Sequence, residues 1–261
     1  MSTIPMLTHD FTDRGFDTIE IYPISDMHVG SKEFDVDKLK QLVDEIASEP
    51  NRFVMLGGDL ADNATRSSVG DIFSATIPPR EQPTVVADLL RPIADRILAV
   101  VAGNHCWRTV KDTDLDPMAM IAAKLNVEHL YEPDLAFVKV TAGRRPHNGV
   151  RPPNYCIGIT HGSSNGSTLG AGINKAEPFA IAMGVDLLII GHSHKPVSAI
   201  TVRYECNMTS AVMVEREVRI LVSTGWLRYA GYPARKMLRP VAIRPNKAIL
   251  DCTRFDISVL S

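Results

Sequence analysis

The sequence predicts an α/β protein in which two packed β-sheets are flanked by helices. In residues 16–195, short apolar runs alternate with helix-like patterns, which is typical of βαβ units. After Lys195 the runs are strand-like and no long helix separates them, so we expect residues 196–261 to complete a second sheet. The chain has 261 residues, no internal repeat and no low-complexity linker, and we expect one domain spanning residues 1–261.

The spacing of apolar residues predicts the strands and helices of residues 16–195. Short runs rich in Ile, Val and Phe and bounded by Gly, Pro or Asp predict strands at Phe16–Ile24, Arg52–Leu56, Ile97–Val101, Tyr155–Thr160 and Val185–Ile190. Apolar residues at helical spacing predict helices over Asp37–Ala47, Glu81–Asp95, Met118–Leu125 and Asn174–Met183. Asp116-Pro117 favours a helix start, because proline suits the first helical position.

The second part is mostly β by the same criteria. Its strand-like runs are Val197–Arg203, Glu217–Ser223, Val241–Ile243 and Ala248–Val259. The Pro, Gly and Arg content of Gly143–Pro153 predicts a loop ahead of the last strands of the first part.

Composition restricts the class of protein. A hydrophobic content of 45% with 22% charged residues is typical of soluble globular proteins, and a net charge of −2 argues against a uniformly basic nucleic-acid-coating protein. We find no signal peptide and no apolar run near the roughly 20 residues that span a bilayer, so we expect no membrane partner. The four cysteines form no CxxC pair, which favours free thiols and a cytoplasmic location.

Polar side chains follow the predicted strands where each strand ends. The end sequences are S-D-M-H, G-G-D, G-N-H, T-H-G and G-H-S-H. They carry five of the eight histidines, two carboxylates and one amide, namely Asp26, His28, Asp59, Asn104, His105, His161, His192 and His194. Any one of these histidines is explained as an ordinary strand-end residue, but their clustering favours a site. Because ligands bind at the carboxyl ends of strands in such sheets, we expect one shared crevice.

The number and type of these donors predict a dinuclear metal site. In D-x-H and H-x-H the two side chains lie on the same side of an extended chain. The donors exceed what one four-coordinate zinc requires and suit two metal ions that share a carboxylate. Imidazole, carboxylate and amide together favour Mn, Fe or Zn over an all-oxygen Mg site. We expect two divalent ions, with Mn first and Fe, Zn, Ni or Mg as alternatives.

The motifs D-M-H, G-G-D-L-A-D-N, G-N-H, T-H-G and G-H-S-H, in this order, resemble those of the calcineurin-like metallophosphoesterases. They extend from Asp26 to His194. The resemblance implies a metallophosphoesterase domain, a four-layer αββα sandwich of two mixed sheets with the active site at the carboxyl ends of the strands.

The resemblance also implies a role for each motif residue. Asp26, His28 and His194 would hold one metal ion, Asp59 would bridge both ions, and Asn104, His161 and His192 would complete the second site. A hydroxide held between the ions would attack phosphorus, its pKa lowered by the metals. His105 would stabilise developing charge or protonate the leaving oxygen, and Asp62 matches the family acid that hydrogen-bonds this histidine.

The sequence departs from the family pattern at two positions. Asn63 stands where family phosphatases often carry an arginine that grips phosphate, which weakens a protein-phosphatase assignment. Cys106 replaces the acidic residue that usually follows G-N-H, and strand alternation is expected to turn it away from His105. The candidate substrate contacts are therefore Asn63, Arg66, Arg108 and Lys175, each of the three cations being equally explained as an ordinary surface charge.

The substrate class implied is a phosphate ester, and a phosphodiester of a nucleotide or nucleic acid is the first expectation. Gly225–Lys247 carries six Lys or Arg and no acidic residue, interleaved with Trp226, Tyr229 and Tyr232, which suits phosphate contacts and base stacking. Solvated strand edges around a core aromatic explain this segment as well. Ser163–Gly172 and Asp71–Pro79 are candidate loops beside the site. The alternatives are a phosphomonoesterase and a non-catalytic scaffold of the same fold.

Overall fold

A computed structural model describes residues 3–65, 68, 72–143, 152–163, 168–230 and 239–260. The helices are α1 (Val36–Ala47), α2 (Gln82–Leu90), α3 (Asn104–Thr113), α4 (Pro117–Leu125) and α5 (Gly170–Met183). The strands are β1 (Leu7–Asp10), β2 (Thr18–Ile24), β3 (Arg52–Leu56), β4 (Ile97–Val100), β5 (Leu135–Thr141), β6 (Asn154–Thr160), β7 (Leu187–Ile190), β8 (Val197–Asn207), β9 (Val212–Val222), β10 (Tyr229–Ala230), β11 (Arg239–Pro240), β12 (Lys247–Asp251) and β13 (Ile257–Leu260).

Two mixed sheets pack face to face. The five-stranded sheet has the order β13-β12-β2-β3-β4, in which β2, β3 and β4 are parallel and β12 is antiparallel to β2. The six-stranded sheet has the order β1-β5-β6-β7-β9-β8. In it β6, β7 and β9 are parallel, β1 is parallel to β5, and the pairs β5–β6 and β8–β9 are antiparallel. The predicted fold of two mixed sheets is therefore confirmed.

Three apolar clusters separate the layers. The inter-sheet core contains Ile21 and Met55 from one sheet and Ile157 and Ile189 from the other. A second cluster lies between the five-stranded sheet and α1, α2 and α4, and a third lies between the six-stranded sheet and α5. Alternate residues of the strands supply opposite clusters, as the two-residue period of a strand requires. The result is the predicted αββα order of layers.

Helix starts and ends follow local capping. Asp116 accepts hydrogen bonds at Oδ1 from the backbone N–H groups of Met118 (2.9 Å) and Ala119 (3.1 Å), and Pro117 occupies the first turn of α4. Asn126 ends this helix in the left-handed conformation at φ 59°. The helix start predicted at Asp116-Pro117 is confirmed. None of the described helices is both long enough and apolar enough to cross a bilayer.

The segment after β4 differs from the prediction. Residues 104–113 form α3, so Cys106 is helical and the strand-alternation argument for its direction is wrong. Cys106 is instead 1% exposed because the helix turns it into the apolar cluster beneath α4. Burial raises the pKa of its thiol to about 12, which makes it a poor nucleophile.

Two predictions for the tail are also wrong. Ala248–Val259 is a hairpin of β12 and β13, because Asp251 accepts at Oδ1 from the N–H groups of Thr253 (2.7 Å) and Arg254 (2.9 Å) and turns the chain. The nearby two-residue strand is β11, and Val241–Ile243 is irregular. Val241 still donates its N–H to the carbonyl of Arg228 at 3.1 Å, but the N–H of Arg244 donates to Thr224 Oγ1 at 3.3 Å instead of to a strand. The prediction had no strands at β1 and β5, although β5 shows the alternate burial of Ala136, Val138 and Val140.

The cap of α4 can be tested by replacing Asp116 with alanine. The change removes two N–H partners and the hydrogen bond from the Tyr131 hydroxyl to Asp116 Oδ2 (2.6 Å). We expect the free energy of unfolding to fall by about 1–2 kcal/mol, measured by urea denaturation. Asp44→Ala, an exposed position within α1, is the control and should stay within about 0.5 kcal/mol of the parent chain. Equal unfolding midpoints for both variants would contradict this account of the cap.

Candidate metal centre

The predicted site residues converge where strands of both sheets end. Asp26 and His28 follow β2 and Asp59 follows β3 in the five-stranded sheet, while His161 follows β6 and His192 follows β7 in the six-stranded sheet. Asn104 opens α3, and His194 lies before β8. The structure brings all seven predicted metal ligands to one edge of the sandwich, where donors from both sheets face each other.

The first group of donors contains Asp26, His28 and His194, whose nearest ligand atoms lie within 4.8 Å of one another. Asp26 Oδ1 is 3.3 Å from His194 Nε2 and 4.0 Å from His28 Nε2. The two imidazole Nε2 atoms are 3.3 Å apart. Three donors from two segments, one after β2 and one before β8, therefore point at a common space.

The second group contains Asp59, His161 and His192, again with ligand atoms within 4.8 Å of one another. His161 Nε2 lies 3.1 Å from Asp59 Oδ2, 3.1 Å from Asn104 Oδ1 and 3.2 Å from His192 Nδ1. His161 Nδ1 donates to the carbonyl of Gly57 at 2.7 Å, which fixes the ring so that Nε2 faces the other donors. This group reproduces the second predicted set, including the amide.

Asp59 lies between the two groups. Besides its contact with His161, it forms a third cluster with His28 and His105. Its Oδ1 accepts from the backbone N–H of His105 at 2.8 Å, so the carboxylate is held in place while Oδ2 faces the histidines. This position between the groups is the one that a bridging carboxylate requires.

The donor set fits two divalent cations. Asp26 and Asp59 are buried, and Asp26 Oδ1 has no hydrogen-bond partner among the described residues. A buried carboxylate oxygen without a donor is costly unless a cation compensates it. Ring nitrogens 3.2–3.3 Å apart can share only one proton, so at least one nitrogen of each pair presents a lone pair to the common space.

The backbone at the ligands is not the extended chain that the D-x-H and H-x-H spacing suggested. Five of the seven predicted ligands have left-handed backbone angles: Asp26 (φ 54°), His28 (φ 49°), Asp59 (φ 51°), His192 (φ 66°) and His194 (φ 56°). The side chains converge because alternate residues turn through this conformation rather than through strand alternation. Non-glycine residues pay about 1 kcal/mol or more to adopt it, and such strain is concentrated at functional sites.

The electrostatics keep both carboxylates ionised. Burial alone raises the pKa of Asp26, but the charges of His194 and His161 outweigh it and lower the pKa. The pKa of Asp59 is lowered far below its usual range by His161 against the same burial cost. Burial lowers the pKa of His161, yet Asp59 and Asp26 raise it to about 9, whereas burial lowers the pKa of His194 to about 4.

His105 contacts Asp62 mainly through the backbone. Its Nδ1 donates to the carbonyl oxygen of Asp62 at 2.6 Å, and the Asp62 carboxylate oxygen Oδ1 is farther away at 3.6 Å. The same Oδ1 lies 3.5 Å from Nδ1 of His28. Asp62 therefore touches both histidines, one with its carbonyl and one with its carboxylate. The Nε2 atom of His105 stays available for proton transfer.

Arg108 lies one helical turn after His105. Its Nη2 is 3.2 Å from the carbonyl oxygens of both Asp62 and Asn63, and 3.1 Å from His105 Nδ1. Because His105 Nδ1 and Arg108 both donate toward the Asp62 carbonyl, the guanidinium braces the 62–63 segment. In this arrangement Arg108 supports the backbone beside His105.

The other candidate substrate contacts are scattered. Asn63 is 3% exposed with φ 44°, and its N–H donates to Gln82 Oε1 at 2.8 Å. Its Nδ2 has no hydrogen-bond partner in the part of the chain that the structure describes. Lys175 donates to the carbonyl of Ser163 at 2.6 Å on the surface. Arg66 lies outside the described residues. So do parts of the predicted loops 71–79, 143–153 and 163–172.

The basic and aromatic segment 225–247 divides between core and surface. Trp226 is fully buried, which confirms the core-aromatic alternative for this residue, whereas Tyr229 is 46% exposed. Arg228 pairs with Asp35 at 3.1 Å. Tyr232, with residues 231–238, lies outside the described residues.

Two site residues carried no sequence signal of their own. Ser25 donates its hydroxyl to Asp26 Oδ2 at 2.5 Å and so orients that carboxylate. Gln82, which is fully buried, holds the Asn63 backbone with Oε1 and donates from Nε2 to the carbonyl of Ile77 at 2.9 Å. Ser25 stands next to a motif and could have been weighed. Gln82 is a lone polar residue at a helix start, and only the folded chain brings it to residue 63.

Comparison with solved structures gives matches of low sequence identity. The structure of calcineurin-like phosphoesterase YfkN from Bacillus subtilis is 12% identical, with 94% of this chain and 90% of that chain covered and a TM-score of 0.43. Wild-type Vps29 from Entamoeba histolytica, complexed with zinc, is 14% identical, with 93% and 97% covered and a TM-score of 0.42. A predicted phosphoesterase from Streptococcus pneumoniae is 13% identical, with 95% and 91% covered and a TM-score of 0.40.

No curated protein matches the sequence at a significant level. The model of the calcineurin-like phosphoesterase family matches residues 19–196, more than half of the chain, and this range contains every residue of the two donor groups. The chain belongs to the calcineurin-like phosphoesterase family.

Proposed function

We propose that this chain is a dinuclear metal-dependent phosphodiesterase that acts on nucleotides or nucleic acid. The observation that carries the proposal is the pair of buried donor groups with Asp59 between them. In this proposal Asp26, His28 and His194 would hold one ion, Asn104, His161 and His192 would hold the second, and Asp59 would be the ligand that the two sites share. The mixture of nitrogen and oxygen donors supports Mn as the native ion, with Fe, Zn, Ni or Mg as alternatives.

In this proposal bound metal ions would supply the nucleophile, and the residues of the chain would orient the ligands and transfer a proton. Two divalent ions, when bound, supply a hydroxide nucleophile near neutral pH and neutralise charge on the phosphoryl oxygens. The chain orients the ligands. The Gly57 carbonyl fixes the ring of His161, and the Asp62 carboxylate faces Nδ1 of His28, so that Nε2 of His28 points toward the other donors. His105, fixed at Nδ1 by the Asp62 carbonyl, uses Nε2 to donate a proton to the leaving oxygen.

A diester preference is supported by the small number of cationic side chains that the described residues place around the centre. A phosphate monoester carries close to two negative charges at neutral pH because its second pKa is about 6, whereas a diester carries one. Asn63 replaces the arginine often found at this position, and Arg108 is engaged by backbone carbonyls. The described residues therefore offer little additional cationic grip, which suits the singly charged diester.

A non-catalytic scaffold is the competing function. A scaffold of this fold needs none of the ligands, yet all seven are present and converge within two groups. The chemistry of the donors, rather than the fold, supports an enzyme. All four cysteines are free, which supports the proposed reducing, cytoplasmic setting.

The proposal predicts Mn-dependent hydrolysis of bis-p-nitrophenyl phosphate in preference to p-nitrophenyl phosphate. Asp59→Asn should lower the diesterase rate at least about a hundredfold and reduce bound metal below two equivalents, because the shared carboxylate loses its charge. Rates would be read from nitrophenolate release and metal content from elemental analysis.

The matched control is Asp95→Asn, at an exposed carboxylate on the 3₁₀ turn that precedes β4, which should leave both quantities unchanged. A preference for the monoester would overturn the diesterase assignment alone. Full activity of Asp59→Asn would overturn the role of Asp59, and absence of bound metal and of both activities in the parent chain would favour the scaffold.

His105→Ala should separate metal binding from turnover. The variant loses the proposed proton donor but none of the seven ligands, so we expect two bound metal ions and a kcat lowered by about 10²–10⁴-fold. Elemental analysis and steady-state kinetics on the same samples measure both quantities. Loss of metal would instead place His105 among the ligands, as its cluster with His28 and Asp59 permits.

Arg108→Ala should lower kcat about tenfold with little change in KM, because Arg108 braces the carbonyls that hold His105. Arg108→Lys should recover only part of the loss, since one ammonium replaces a planar fork of donors. Lys175→Ala, which removes an exposed cation beside Ser163, is the control and should behave as the parent chain. A rise in KM with unchanged kcat for Arg108→Ala would show that it grips substrate instead.

A further inference from the structure

Three sulfur-containing residues, Cys206, Met208 and Met213, lie at the tip of the hairpin formed by β8 and β9. Cys206 Sγ is 3.3 Å from Met208 Sδ. Met213 is the cross-strand partner of Cys206, and directly opposed residues of an antiparallel pair project from the same face with Cβ atoms about 4.5–5.5 Å apart. A thiol and two thioethers from one short stretch of chain are therefore neighbours.

Packing does not account for these side chains. Met208 is 83% exposed and Met213 is 60% exposed, and Cys206 is a free, exposed thiol. Within the described part of the chain, none of the three belongs to an apolar cluster. Methionine normally fills irregular gaps in cores, so two exposed methionines around a cysteine at a hairpin tip need another explanation.

The backbone of the turn between Cys206 and Met213 is held by hydrogen bonds. Asn207 Oδ1 accepts from the backbone N–H groups of Thr209 and Ser210, each at 3.1 Å. Ala211 then adopts the left-handed conformation at φ 52° before β9 begins. Because these bonds fix the chain between Cys206 and Met213, little ordering is needed to bring the three sulfurs around a ligand.

We propose that Cys206, Met208 and Met213 bind a soft monovalent cation, namely Cu(I). Thiolate and thioether donors select Cu(I) over the harder divalent ions that suit the His, Asp and Asn donors of the metal centre. On binding, the S–H bond of Cys206 breaks, its proton leaves to solvent, and the sulfur binds the metal with no change of oxidation state. This site is separate from the proposed phosphoesterase chemistry and does not depend on it.

Silver(I), which has the same charge and ligand preference and is redox-inert, is the probe. One equivalent of Ag(I) added to the full chain, with methyl-¹³C methionine, should shift the ε-methyl resonances of Met208 and Met213. Met208→Leu and Met213→Leu keep the size of the side chain but remove a sulfur, so each should weaken Ag(I) affinity at least about tenfold. Met120→Leu, at a 38% exposed methionine on α4, is the matched control and should retain the parent affinity.

Cys206→Ser distinguishes the complete site from a single thiol. If only this variant loses Ag(I) and both leucine variants bind like the parent chain, one thiol acts alone and the three-sulfur site is overturned. If all three hairpin variants bind like the parent chain, Ag(I) occupies other donors and the site is likewise overturned. Mn-dependent hydrolysis by the leucine variants should equal that of the parent chain, because the hairpin tip contributes no ligand to the metal centre.

Discussion

The burial of two carboxylates, Asp26 and Asp59, is the constraint on which the rest of the structure depends. Burying a charge costs several kcal/mol unless partners compensate it. Asp26 Oδ2 accepts from Ser25 and from the backbone N–H of His192 at 2.8 Å, and Asp59 Oδ1 accepts from the backbone N–H of His105. With one oxygen each carboxylate thus accepts a hydrogen bond from the backbone of another strand-end loop, and its other oxygen faces the metal centre. The ligands themselves join the two sheets.

These contacts between strand-end loops of the two sheets explain why the loops contain glycines and residues with left-handed backbone angles. A Cβ on Gly103 would lie 2.1 Å from Asp59 Oδ1, and a Cβ on Gly225 would lie 2.5 Å from His194 Nδ1. At these two positions any side chain displaces a proposed ligand. The left-handed ligands add about 1 kcal/mol or more of strain each, which only a rigid surrounding structure sustains. The inter-sheet core provides that rigidity, so stability is used here to hold ligand geometry.

The sequence predicted the sheets and the place of the site better than the path of the backbone. Apolar runs such as Arg52–Leu56 bury nearly all their residues, and their ends mark where polar residues emerge. The left-handed turns at Asp26 and His28 leave no trace in hydrophobic periodicity, and neither does the helix that turns Cys106 inward. Contacts between distant segments, such as Gln82 with Asn63, depend on packing that local propensity does not encode.

Asp62 shows how the geometry alters the chemistry implied by the motif. The resemblance assigns its carboxylate to His105, but His105 is held by the Asp62 carbonyl, which any residue at this position would provide. The carboxylate oxygen Oδ1 lies 3.5 Å from His28 Nδ1 and 3.6 Å from His105 Nδ1, so its charge favours the orientation of a proposed metal ligand at least as much as that of the proposed proton donor. The placement of His105 therefore depends on the backbone path of residues 62–63. Arg108 fixes that path from one side and Gln82 from the other. In the proposed function the side chain at position 62 would help to orient the ligand His28, and the main chain at position 62 would hold the proton donor His105.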